Sequence, residues 1–116
     1  MLVEPVRSLR RPKEAAACFE QAIEYDPGAA DAHAHLMIAL VQTGQTDKAI
    51  EHGRKAVALE PNSFEARFNL GILLIAQRRY LDGISELREA RGLQPDDPRP
   101  LQEIQRAEAA LNKAAR

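Results

Sequence analysis

Three prolines, Pro27, Pro61 and Pro95, recur at an interval of 34 residues in a chain of 116, and this spacing constrains the fold more than any other feature. Other residue types share the interval. It aligns Ala15 with Ala49 and Gly83, Ala22 with Ala56 and Ala90, Tyr25 with Leu59 and Leu93, and Leu36 with Leu70 and Ile104. A period of this length marks one supersecondary unit that cannot bury its apolar face alone and must stack on its neighbours.

Each period holds two amphipathic segments, as at residues 31–43 and 47–59, with Gly44 at a tight turn between them and Pro61 stopping the second. Leu36, Met37 and Leu40 lie on one face of the first segment. Ala49, Ile50, Gly53, Ala56 and Val57 lie on one face of the second, and their small members let two helices approach closely. Composition agrees with an all-α fold: aromatics are 4% of residues, there is no Trp, and Ala is abundant. With 45% hydrophobic and 28% charged residues the chain can build a core. A net charge of −1, with only short Arg pairs at 10–11 and 78–79, gives no footprint for nucleic acid.

Residues 30–63 resemble the tetratricopeptide repeat (TPR) family at Leu36, Gly44, Ala49, Ile50, Ala56, Leu59 and Pro61. Residues 64–97 resemble it again at Leu70, Gly71, Leu74, Tyr80, Ile84, Leu87, Ala90, Leu93 and Pro95, with Arg78 in place of the usual turn glycine and Gly83 in place of the usual alanine. Residues 12–29 read as the second helix of a partial repeat, with Ala15, Phe19, Ala22, Tyr25 and Pro27 in phase. Residues 1–11 are expected to be an irregular or truncated first helix, because Pro5 and Pro12 push Glu4 and Arg11 out of helical conformation. At the other end, Asp97 caps and Pro98 opens a capping helix over residues 98–116, with Leu101, Ile104, Ala107 and Leu111 on one face. The resemblance, covering roughly residues 12–116, implies a single TPR domain. Its fold class is all-α, an α-solenoid of antiparallel helix hairpins with about two full repeats, a preceding half repeat and a capping helix.

In TPR proteins the first helix of each repeat lines a concave side that receives peptides or helices. Here those helices carry a second apolar stripe, Ala34, Ile38 and Val41 in one and Phe68, Ile72 and Ile75 in the other, again 34 apart. With His35, Gln42 and Asn69 alongside and Arg99 and Arg106 towards the far edge, the stripe is expected to bind another protein or peptide, best an amphipathic helix with an acidic end. The module would then form part of a larger protein. Alternatively the chain is a homo-oligomerisation module, a homodimer using the groove or an open N-terminal face around Phe19, or the stripe is covered within the chain itself. Some family members grip a partner's C-terminal carboxylate with lysine, asparagine and arginine. The corresponding positions here hold Ala34, Ile38, Asn69 and Glu103, of which only Asn69 matches, so that mode of capture is not implied.

No catalytic residues, cofactors or small-molecule substrate are expected, since the chain has no phosphate-binding loop and no nucleophile motif. His33 and His35 point about 200° apart on a helix and cannot share a metal, and His52 lies on a different helix, so no metal is expected either. The single Cys18 forms no internal disulfide and reads as packing or surface. No stretch approaches the ~20 apolar residues of a membrane span. The first residues lack a secretory apolar run, so a cytoplasmic location is expected. One packing feature stands out: Gly53 occupies a row filled by Phe19 and Leu87, while Met37 stands where its counterpart is Gly71. The Met37 side chain is expected to fill the space left at Gly53.

Overall fold

The computed structural model describes residues 11–115, and the expectation for residues 1–10 lies outside them. Among the described residues six α-helices follow one another: α1 (Pro12–Tyr25), α2 (Ala30–Gln42), α3 (Thr46–Leu59), α4 (Phe64–Ala76), α5 (Tyr80–Leu93) and α6 (Arg99–Ala114). No strand occurs among the described residues, and the fold is an all-α helical repeat.

The sequence interval is written into the helix ends. α1, α3 and α5 stop at Tyr25, Leu59 and Leu93, each two residues before one of the spaced prolines. A proline disfavours helical backbone in the residue ahead of it, and Asp26, Glu60 and Gln94 accordingly have φ of −142°, −133° and −137°. Their amides still close the last turn, donating to the carbonyls of Ala22, Ala56 and Ala90 at 2.9, 2.9 and 3.1 Å. The turns within the hairpins repeat as well. Gly44 (φ 83°) and Arg78 (φ 63°) both take the left-handed conformation that ends a helix. The next amide then reaches back five residues in each case, Gln45 N–H to the Leu40 carbonyl at 2.8 Å and Arg79 N–H to the Leu74 carbonyl at 2.9 Å.

The described residues divide into two compact units, one ending at Glu60 and the other beginning at Pro61. In the first, α2 packs against both α1 and α3. Flanked on two sides, it buries Ala32, His33 and Ala39 as well as the expected Leu36, Met37 and Leu40. Opposite lie Ala49, Ile50, Gly53 and Ala56 of α3, also buried.

In the second unit α4 and α5 form the hairpin, and α6 packs on α5 and more lightly on α4. Leu70, Leu74 and Leu87 are wholly buried, with Ile84, Ile104 and Ala107 beside them. Removing each such leucine from water contributes about 1.5–3 kcal/mol. The α4–α5 approach is close enough to need glycine on both helices. A Cβ on Gly71 would stand 2.8 Å from Leu87 Cγ, and one on Gly83 would stand 2.6 Å from Ile75 Cγ1 and 2.9 Å from the Gly71 carbonyl oxygen. The last helix opens one residue later than expected. Asp97 Oδ1 accepts the Arg99 N–H at 2.9 Å, Pro98 stands outside the helix, and Pro100 fits its first turn.

Candidate functional site

On α2 the second apolar stripe stays largely open. Ile38 and Val41 keep 42% and 41% of their surface exposed, Gln42 is exposed and Ala34 is half-buried. His35 is also exposed and stacks on Phe19 of α1 with ring centroids 5.2 Å apart and planes 17° apart. Phe19, named above at the open N-terminal face, packs on α2 through this stack and is half-buried.

On α4 the equivalent residues are differently placed. Phe68, Ile72 and Ile75 are half-buried against Ile84 and Leu87 of α5 and Ile104 and Ala107 of α6, and Asn69 is half-buried too. Phe68 also stacks on Phe64 at 5.6 Å. The Arg99 guanidinium lies over both rings, 5.4 Å from Phe64 and 4.8 Å from Phe68. Asp97 holds it there, accepting from Arg99 Nε at 3.1 and 3.2 Å and from Nη2 at 2.8 Å. The hydrogen bonds from Arg99 keep the Asp97 carboxyl below its usual range, and the same bonds raise Arg99. Arg99 thus covers aromatic rings while paired with its own carboxylate. Arg106 is exposed and donates to Glu103 at 3.4 Å.

A second set of polar residues ties each hairpin together, and the sequence reading passed it by. In the first unit His33 Nδ1 lies 2.9 Å from His52 Nδ1, and His33 Nε2 lies 3.0 Å from the Pro27 carbonyl oxygen. In the second, Arg67 Nη1 donates to Glu86 at 3.0 Å and Arg67 Nε donates to the Pro61 carbonyl at 2.8 Å. The positions correspond one for one across 34 residues. One side chain on the first helix joins the preceding proline's carbonyl to the second helix. His52 lies on a different helix, as expected, and α3 turns it onto His33. The signal available was that Arg67 and Glu86, a complementary charge pair, fall on the two histidines when the chain is shifted by one period.

The tetratricopeptide repeat family model matches residues 7–63 and again residues 36–98. The chain belongs to the tetratricopeptide repeat family. Among curated relatives this TPR chain is 33% identical to the type IV pilus assembly protein PilF of Pseudomonas aeruginosa over 67% of its length, and 28% identical to the cell division cycle protein 27 homolog of Caenorhabditis elegans over 74%. It spans only 31% and 11% of those two proteins. Among solved structures it superimposes on the first TPR domain of Spaghetti (RPAP3), bound to the HSP90 peptide SRMEEVD, with a TM-score of 0.87 at 17% identity, covering 94% of this chain and 86% of that one. On MamA the TM-score is 0.84 at 21% identity, covering 87% and 55%. Identities this low show the fold alone.

Among the described residues of the TPR chain no group of three or more His, Cys, Asp or Glu could hold a metal ion. No described helix is long and apolar enough to cross a membrane. Cys18 is free and exposed. Every buried side-chain nitrogen or oxygen among the described residues has a hydrogen-bond partner.

Proposed function

We propose that the chain is a protein-binding module that takes a peptide or amphipathic helix on the apolar face of α2. The observation that carries this is the exposure of Ile38 and Val41 one turn apart on a helix whose other faces are buried. Two β-branched side chains left in water at that spacing match the i, i+3, i+4 anchors of a helix-in-groove partner. Around them lie Ala34, His35 and Gln42 on α2. In the second unit, taken by itself, Phe68, Asn69, Ile72 and Ile75 on α4 and Arg99 and Arg106 on α6 are the candidates. A TPR domain of the same fold has been solved with an HSP90 peptide. Ala34 and Ile38 in the first repeat and Glu103 in α6 argue for an apolar ligand here and against one held by its terminal carboxylate.

Peptides selected on the native chain from a displayed library test the reading. Enriched sequences should be amphipathic and should lose at least tenfold in affinity against an Ile38→Glu, Val41→Glu double variant with unchanged helicity and mass. Equal affinity for both proteins would sink it. The alternative is homo-oligomerisation through the same face. In that case light scattering would find a concentration-dependent dimer in the native chain and a monomer in the double variant.

A further inference from the structure

The two hairpins carry the same clamp built from different chemistry. In the second it is a guanidinium and a carboxylate, whose complementarity is fixed by charge. In the first it is two imidazoles, and their donors and acceptors must be counted.

The Pro27 carbonyl can only accept, so His33 Nε2 carries its proton and donates to it. The Nδ1 of a neutral His33 is then a lone pair, and the bond at 2.9 Å requires His52 Nδ1 to donate. A first added proton can sit on His52 Nε2 and leave that bond in place. A second has only His33 Nδ1 left to bind. There it would set two N–H groups and two positive charges against each other at a contact of 2.9 Å, with the stacked rings 5.2 Å apart. His33 is almost wholly buried, at 3% exposure, so water cannot solvate a charge placed on its ring, while His52 beside it is half-buried.

We propose that the His33–His52 pair is a proton-operated latch on the α2–α3 hairpin, closed while it holds at most one proton and opened by the second. The groups around His52 are His33 on α2, Lys55 and Glu51 on α3 itself, and Glu20 on α1. Burial, then His33, then Lys55 lower the His52 pKa from its ordinary 6.5, and Glu51 and Glu20 oppose the shift only in part. The sign follows. A histidine whose folded pKa lies below its unfolded value binds its proton more readily when the structure opens. His52's own contribution to stability is whole above about pH 6.5 and is lost as pH falls towards its lower folded value, and the second proton, which the 2.9 Å contact keeps out of the closed pair, is taken up on opening and adds to that loss. Each proton taken up on opening raises the opening equilibrium by up to about tenfold per pH unit. Since α2 also carries Ile38 and Val41, acid would release a partner held there. That corollary rests on the binding reading above, whereas the latch does not.

Amide exchange on the full chain, expressed as protection factors at pH 7 and pH 5, reads the latch without any ligand. Protection in α2 and α3 should fall at least tenfold further than in α4 and α5, whose Arg67–Glu86 clamp is the internal reference. Imidazole nitrogen NMR at pH 7.5 should find His33 protonated at Nε2 and His52 at Nδ1. Replacing the pair by its counterpart, His33→Arg with His52→Glu, should remove the difference between hairpins. His52→Gln, which keeps a neutral donor for His33, should shrink it if the charge pair does not fold. His35 is present in every protein compared and cancels. Equal loss of protection in both hairpins of the native chain would overturn the latch, as would a native-sized difference in either variant.

Discussion

Single backbone positions show where this chain departs from its own repeat at a cost. Arg78 stands where the preceding repeat has Gly44, and it keeps the left-handed conformation at φ 63°. A side chain there costs roughly 1–2 kcal/mol. Arg78→Gly should therefore raise stability by about 1 kcal/mol in urea denaturation, allowing for glycine's larger unfolded-state entropy, and a loss of stability would show that the arginine side chain contributes more than the turn strain. Gly83 and Gly92 lie on one helix and should respond in opposite directions. Gly83→Ala would bring a methyl within 2.6 Å of Ile75 Cγ1 and 2.9 Å of a backbone oxygen, and should destabilise by about 1–3 kcal/mol through overpacking. Gly92→Ala meets nothing within 4 Å and should stabilise by about 0.5–1 kcal/mol by helix propensity alone. That Arg78 and Gly83 occupy unusual positions was legible in the period. Their conformation and clearance were not, because both depend on how near the partner helix runs.

At the scale of the helix hairpin, the two full repeats solve one packing problem with large and small residues exchanged. In α4 and α5 the small residue is Gly71 and the large one Leu87, and they are in direct contact. Shifted by one period, the corresponding residues are Met37 and Gly53, large and small reversed, and both are buried. Met37→Gly alone should cost about 2–5 kcal/mol. Combined with Gly53→Leu, which recreates the second repeat's arrangement, it should cost at least 1 kcal/mol less than the sum of the single changes, within the range of coupling between touching residues. Strict additivity in urea titrations would refute the pairing. The same exchange logic exposes the clamps, in which two histidines replace an arginine and a glutamate. His33 has no such partner among its neighbours along the helix. Its partner lies 19 residues on, a distance that only the hairpin makes short.

For the molecule as a whole, the consequential finding is that the two apolar stripes, equal in sequence, are unequal in exposure. Ile72→Glu would be a natural probe of binding from sequence alone. In the structure Ile72 packs on the Ile84, Leu87, Ile104 and Ala107 cluster, so that variant should lose about 1–3 kcal/mol of stability by burying a charge. Ile38→Glu should change stability by less than about 0.5 kcal/mol, as exposed sites do. Thermal melts of the two variants decide the matter, and only a variant that melts like the native chain can report on binding. The sequence by itself determined the all-α class, the family, the helix ends at the spaced prolines and the tight turn at Gly44. All of these follow from short-range backbone rules and a fixed period, which neighbouring residues in the chain suffice to impose. Only the tertiary structure decided which stripe is covered, that Arg99 is spent on Asp97 and two phenylalanine rings, and that His33 meets His52. Those outcomes depend on distances between helices, and no pattern within a single helix encodes them.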